Sequence, residues 1–386
     1  MNLRPEIDFN NERFLMFVMD EMANQYEKEG KNVVRMTLGK SELPQHPGII
    51  GAIQEAAGDY SKYSLVFPGG LPELKEELSA YYKERYNVNI DPKRFIISTG
   101  TSTIFRNLYH LLLTKGDEVL IPMPYYSLYH FCALLMGATV RFYDIDTTTL
   151  RVDFDSFRKN FTDKTKIVVI NSPGNPLGNI LSVEELQEID RIVNHQAVVI
   201  NDEIYANMCF DNSGISVMQL QDTQSTFITT DAFSKGYRMY GKRVGYCIVP
   251  EELVLPMTVI QHHTLLTVDP VVQFGAIAAL EHQDEVDALR SIYKSRRDYT
   301  MQQLSAVPGI VPLNSLGGFY LTLDCSEYMK AKGIETSLEL AERIMHAEYV
   351  ATVPGSDFGL PYTLRLSFSS NKYNEGVDRL VRFFKS

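Results

Sequence analysis

Ala232-Phe233-Ser234-Lys235, followed by Gly241-Lys242-Arg243-Val244-Gly245, is the stretch around which the rest of the chain can be read. Arg243 stands eight residues after Lys235. A lysine amine can form a Schiff base with a carbonyl cofactor, and a guanidinium nearby can hold a phosphate through two parallel hydrogen bonds. An isolated lysine is an ordinary surface residue, so the reading depends on what else the chain supplies. Paired in this frame, Lys235 and Arg243 point to a cofactor that carries both an aldehyde and a phosphate, namely pyridoxal 5'-phosphate.

Three upstream segments supply what such a cofactor requires. Asn201-Asp202-Glu203-Ile204-Tyr205 follows the apolar run Ala197 to Ile200. A strand leading into an acid puts Asp202 at the carboxyl edge of a parallel sheet, where ligands bind. There it can pair with the pyridinium nitrogen, and Tyr205 can donate to the ring oxygen. Asn171-Ser172-Pro173-Gly174-Asn175-Pro176-Leu177-Gly178 follows a second apolar strand. As composition it is a turn; as chemistry it offers the Asn175 amide to the ring oxygen, with Pro176 restricting the backbone. Ser98-Thr99-Gly100-Thr101-Ser102-Thr103 lies between a strand and a helical stretch. Amides at a helix N-terminus beside hydroxyls form an anion site, so Thr101 and Ser102 are phosphate ligands on this reading, although such residues also serve as plain N-caps.

In this order the segments resemble the fold type I pyridoxal phosphate enzymes, specifically the class I/II aminotransferase family, over nearly the whole chain. The resemblance implies that Tyr126, after Pro124-Tyr125, stacks on the cofactor ring, and that Ser234 joins the cofactor-binding set. It also implies that Arg365, in Leu364-Arg365-Leu366-Ser367-Phe368, binds the substrate α-carboxylate, with Asn175 and the Gly39 backbone assisting. From the residues alone, Arg365 could be an outward-facing strand residue, but a planar carboxylate matches a guanidinium fork. A homodimer is implied as well, each site completed by a neighbour's tyrosine; Tyr63, before Gly70-Leu71-Pro72-Glu73-Leu74, is the candidate. Three positions depart from the family pattern: Ala232 for serine, Leu177 for threonine and Lys242 for an aromatic residue.

Composition agrees. The 386 residues are 45% hydrophobic and 22% charged, as in ordinary globular proteins. A net charge of −11 opposes nucleic-acid binding. The opening Met1-Asn2-Leu3-Arg4-Pro5-Glu6 lacks the apolar core of a signal peptide and no run is long enough to span a bilayer, so a cytoplasmic protein without membrane association is expected. Four scattered cysteines without a CxxC pair read as buried thiols. Leu38-Gly39-Lys40-Ser41 fails as a P-loop because Val34 stands where its first glycine belongs. His262-His263 points in two directions from a helix, so no metal site is expected.

Short apolar strands alternate with helical periodicity from about residue 94 to 250, which predicts an α/β fold: a large domain with a mostly parallel sheet flanked by helices, plus a smaller α+β domain. Residues 46–285 form the large cofactor-binding domain on this reading; 1–45 and 286–386 form the small one. One long helix is expected from Val271 to Leu304, and the amphipathic run Glu12 to Lys28 either joins the small domain or covers the site.

For the reaction, the resemblance favours an aminotransferase acting on an α-amino acid, with Lys235 holding the cofactor as a Schiff base and, once released, removing the Cα proton. The alternative is elimination or cyclisation, as in aminocyclopropane carboxylate synthases, capreomycidine-type guanidino amino acid cyclases or carbon-sulfur lyases. A non-catalytic regulator is disfavoured because Lys235, Asp202 and Arg365 are all present. Glu42, Asp269 and Asp357 would favour a cationic substrate side chain if they faced the pocket.

Overall fold

The computed structural model describes Ile7, Phe9 and residues 13–386 except 212 and 213. The opening hexapeptide and Glu12 lie outside the described residues. Seven of the apolar segments pair into one sheet: β1 (Phe95–Ser98), β2 (Glu118–Met123), β3 (Thr139–Asp144), β4 (Thr165–Asn171), β5 (Val198–Asp202), β6 (Thr226–Ala232) and β7 (Gly245–Ile248). Their order across the sheet is β1-β7-β6-β5-β4-β2-β3. Only β7 runs against its neighbours, β1 and β6; the other pairs are parallel. Ile167, Val168, Val169 and Ile170 in β4 are all fully buried, because a parallel strand covered by helices on both faces has no solvent side to present.

Local chemistry sets the helix starts between these strands. Ser182 caps Val183–Val193 through a reciprocal box with Glu185, and Asp153 accepts from the amides of Asp155 and Ser156 to open Phe154–Asn160. The carboxyl ends of β1, β4, β5 and β6 therefore all open on the same edge of the sheet.

The helix expected from Val271 to Leu304 is two helices, Pro270–Leu280 and Gln283–Leu304. His282 leaves helical geometry at φ −115°, ψ 55°, and Asp284 and Glu285 give the second helix the acidic first turn that its dipole favours. Residues 281–285 contain neither glycine nor proline, so no helix breaker marks the interruption in the sequence.

A second, antiparallel sheet contains β8 (Val311–Pro312), β9 (Tyr320–Asp324), β10 (Val353–Pro354) and β11 (Thr363–Ser367), ordered β10-β11-β9-β8. Thr322 faces Arg365 across β9 and β11. The chain ends meet here: Val34–Arg35 pairs in parallel with Val350–Ala351, and the helix Leu15–Lys28 begins on Asp357, which accepts from the amides of Leu15 at 2.8 Å and Met16 at 2.9 Å. One apolar cluster runs from Leu78 and Phe95 beside the large sheet to Leu340 and Leu364 beside the small one, so the two sheets share a continuous interior. All four cysteines are buried and unpaired. Among the described residues, no helix is long and apolar enough to cross a membrane.

Candidate active site

A cavity of about 270 Å³ lies between the two sheets, lined by Gly39, Thr101, Ser102, Tyr126, Asn175, Asp202, Tyr205, Ser234, Lys235, Arg243 and Arg365, with further walls from Phe14, Met16, Leu38, Lys40, Tyr129, Asn171, Ile204, Tyr240 and Tyr320. Every site residue read from the sequence is in this lining except Tyr63. That side chain is 47% exposed in the short helix Tyr60–Tyr63 and does not reach the cavity of its own chain.

At one end, β1 runs through Gly100 into the helix Thr101–Leu112. Gly100 is the N-cap and has no side chain to occupy the first helical amides. Its φ of +83° favours glycine, and a Cβ there would fall 2.4 Å from an Arg243 nitrogen. Arg243 is fixed by donating to the Tyr240 carbonyl at 2.9 Å and to Ser234 Oγ at 3.4 Å. This end therefore offers a helix N-terminus, hydroxyls and a fixed guanidinium, the donor set of a phosphate site.

Asp202 ends β5 on the cavity floor. Its Oδ2 accepts from the Tyr129 hydroxyl at 2.8 Å, and its Oδ1 from the Ile204 amide at 3.3 Å and from Thr230 at 3.4 Å. Burial lifts the carboxyl to about 6, while these donors and the charge of Lys235 pull it down. A cation over it would favour ionisation, which suits a pyridinium partner.

Lys235 follows β6 and sits between these ends, its Nζ donating to the Gly39 carbonyl at 2.8 Å and lying 5.4 Å from the Phe319 ring centre. A Cβ on Gly39 would come within 2.0 Å of Tyr320 Oη and 2.7 Å of Lys235 Nζ. Since that backbone is not in the left-handed region, Gly39→Ala should fold normally and lose on the order of 10- to 100-fold in kcat/KM through displaced side chains. Steady-state kinetics beside a melting curve test this; unchanged kcat/KM would show that the close approach relaxes freely.

Arg365 is 2% exposed. Its guanidinium lies between the rings of Tyr320 and Phe358, 4.0 and 4.6 Å from their centres. It donates to Asn175 Oδ1 at 3.1 Å and to the Thr37 carbonyl at 2.8 Å, while its buried Nε lacks a partner among the described residues. An arginine gripped this way retains capacity for an anion. The cavity thus fits pyridoxal phosphate together with a carboxylate-bearing substrate.

These geometries agree with the comparisons. A family model described as aminotransferase class I and II matches residues 31–384. The chain belongs to that family. The aspartate aminotransferase of Bacillus sp. (strain YM-2) is 30% identical over 371 residues, 94% of each chain. The asparagine–oxo-acid transaminase of Streptococcus mutans is 28% identical, again over 94% of each. Among solved structures, the alanine aminotransferase from Pyrococcus furiosus superposes with a TM-score of 0.89 at 26% identity, covering 100% of both chains. This enzyme is accordingly a pyridoxal phosphate-dependent aminotransferase, and these relatives are named for transamination rather than elimination or cyclisation.

Several expectations need correction in the aminotransferase as folded. Glu42 accepts from the Asn371 amide at 2.6 Å, Asp269 caps Pro270–Leu280, and Asp357 holds the N-terminal helix. None lines the cavity, so each acid satisfies backbone amides and is unavailable to a cationic substrate. Leu177 departs from the family pattern because its side chain is core, 1% exposed among Leu120, Tyr143 and Ile170. Tyr129 and Tyr320 were missed as site residues; the spacing of Tyr129 from Tyr126, one helical turn, was the available signal for the first.

Glu203, next to Asp202, is a buried acid outside the cavity. Its Oε1 accepts from Asn201 at 2.8 Å, Ser216 at 2.9 Å and the Val217 amide at 3.0 Å, and its Oε2 has no partner among the described residues. Burial raises it to about 7. The native state then holds this proton more tightly than the unfolded chain, so the associated stability is complete below about pH 4.5 and is lost as pH rises through about 7, amounting to about 3 kcal/mol. Glu203→Gln should flatten that decline in urea midpoints measured from pH 5 to 8; a slope equal to that of the parent would contradict the assignment.

Proposed function

We propose that transamination takes place in this cavity, with Lys235 carrying the cofactor and moving the Cα proton, Asp202 and Tyr205 facing the cofactor ring, Tyr126 stacking on it, and Thr101, Ser102, Ser234 and Arg243 holding its phosphate. The main support is the convergence of Lys235, Asp202, Arg243 and Arg365 on one cavity from separate elements of the two sheets. Bound there, pyridoxal phosphate supplies an aldehyde for the amino group and an electron-withdrawing ring. Arg365, oriented by Asn175, takes the α-carboxylate, with Gly39 beside it. Held this way, the substrate presents its Cα–H to the Lys235 amine, which accepts the proton and later returns it. Phe14, Met16 and Leu38 exclude water from the substrate side.

Residues 46–285 would form the cofactor-binding domain, and 1–45 with 286–386 the domain that brings Arg365. The working unit would be a cytoplasmic homodimer. In its support, Tyr60, Tyr63, Val66 and Phe67 are exposed, as are Leu255, Val259 and Leu266 on the adjoining helix and its end. Thr267 joins the two segments by donating to the Phe67 carbonyl at 2.9 Å. An apolar face of this kind suits a second copy, which would bring Tyr63 to the neighbour's exposed Arg243.

The test is incubation of the purified holoenzyme with single amino acids and no oxo-acid acceptor, starting with aspartate, the substrate named for the Bacillus relative. Formation of one equivalent of 2-oxo acid per subunit, with loss of the aldehyde absorbance, is expected. An amino acid that loses water, ammonia or a sulfur group while the aldehyde persists would overturn the reading.

A further inference from the structure

Tyr320 Oη and Lys235 Nζ close on one point, the position a Cβ of Gly39 would occupy. The tyrosine lies on β9 of the small sheet and the lysine beyond β6 of the large one, so only the closed fold brings them together. The ring of Tyr320 stacks on the Arg365 guanidinium at 4.0 Å, and its hydroxyl lies 3.3 Å from that of Tyr205, which donates to it. Tyr320 thus contacts the carboxylate-binding arginine and the ring-facing tyrosine, and its hydroxyl lies beside the amine.

We infer that Tyr320 is a further catalytic residue, whose hydroxyl exchanges a proton with the Lys235 amine and whose proton affinity responds to a carboxylate on Arg365. This rests on the assignment of Lys235 as the proton-moving base. In the exchange a phenolate oxygen gains a proton as one N–H bond of the lysine ammonium breaks, leaving a neutral phenol and a neutral amine; the reverse step restores both charges. No other reactant is needed. The charged or titratable groups facing Tyr320 among the described residues are Lys235, Arg365, Tyr205, Tyr126, Tyr240 and Tyr293. Burial raises the phenol, but the charges of Lys235 and Arg365 beside it and the hydrogen bond from Tyr205 bring it below the ordinary tyrosine range. A substrate carboxylate that neutralises Arg365 removes part of that support and raises the proton affinity of the Tyr320 oxygen, which favours proton transfer to it from Lys235 once the lysine has been released from the cofactor and has taken up the Cα proton.

The experiment compares holoenzyme with Tyr320→Phe and Tyr320→Leu. Single-turnover rates are measured with the best donor from pH 6 to 10, and the visible absorbance of the bound cofactor is titrated with and without propionate, an unreactive carboxylate. Tyr320→Phe keeps the ring on Arg365, so KM should stay within about threefold while the rate falls at least about tenfold. The pH–rate profile should shift and the propionate-dependent displacement of the absorbance titration should shrink. Tyr320→Leu should also raise KM. Parent-like rate, profile and titration in Tyr320→Phe would overturn the proposal, as would a rise in KM alone, which would reduce the residue to positioning. Borohydride reduction followed by peptide mass analysis checks the underlying reading separately: failure to label Lys235 would sink that reading, whatever Tyr320 does.

Discussion

Lys235→Ala should lower kcat by at least about 10⁴-fold, because one change removes both the covalent attachment point and the base. The native fold should survive. Among the described residues, Lys235 makes a single side-chain hydrogen bond, to the Gly39 carbonyl, and its surroundings are aromatic rings that pack without it. The variant should still bind pyridoxal phosphate through the helix N-terminus, Arg243 and Asp202, but borohydride should no longer fix the cofactor to protein. Three measurements decide the matter: turnover, absorbance of the bound cofactor, and the denaturation midpoint. Retention of even one-hundredth of the parent activity in a normally folded variant would remove Lys235 from the centre of the mechanism.

Arg365→Ala should reduce kcat/KM for the donor by about 10³-fold, the scale expected when a charged, two-point grip on the substrate is removed from a buried site. Arg365→Lys should recover no more than about tenfold of it. A lysine retains the charge but cannot lie flat between Tyr320 and Phe358, and it lacks the fork that reaches Asn175 and the Thr37 carbonyl while facing an anion. Removing the guanidinium also strands those two oxygens, so circular dichroism and cofactor titration must accompany the kinetics. A folded, cofactor-loaded Arg365→Ala enzyme whose kcat/KM changes by less than threefold would exclude Arg365 as the carboxylate site.

These two residues differ in how far the sequence discloses them. Lys235 is framed by neighbours that carry their own chemistry. Arg365 reads locally as one polar residue in an apolar strand, and only resemblance assigned it to substrate. Its inward position follows from β11 being covered on both sides, by β9 and β10 edge to edge and by the N-terminal helix above it.

The seven strands of the large sheet, its mostly parallel architecture and the Lys235, Asp202 and Asn175 segments at its edge were legible in the chain, because each depends on local facts: runs of buried-type side chains, capping residues, and Gly or Pro at turns. Tertiary structure decided the rest. Tyr129 reaches Asp202 across 73 residues and Arg365 reaches Asn175 across 190; Tyr320 meets Lys235 only where the two sheets close. The break at His282 and the engagement of Glu42 and Asp357 with distant backbone amides were likewise settled by packing. A side chain's chemistry is written in its own residue, but its partner is set by strand register and sheet closure, which depend on the summed burial of the whole interior rather than on any local stretch.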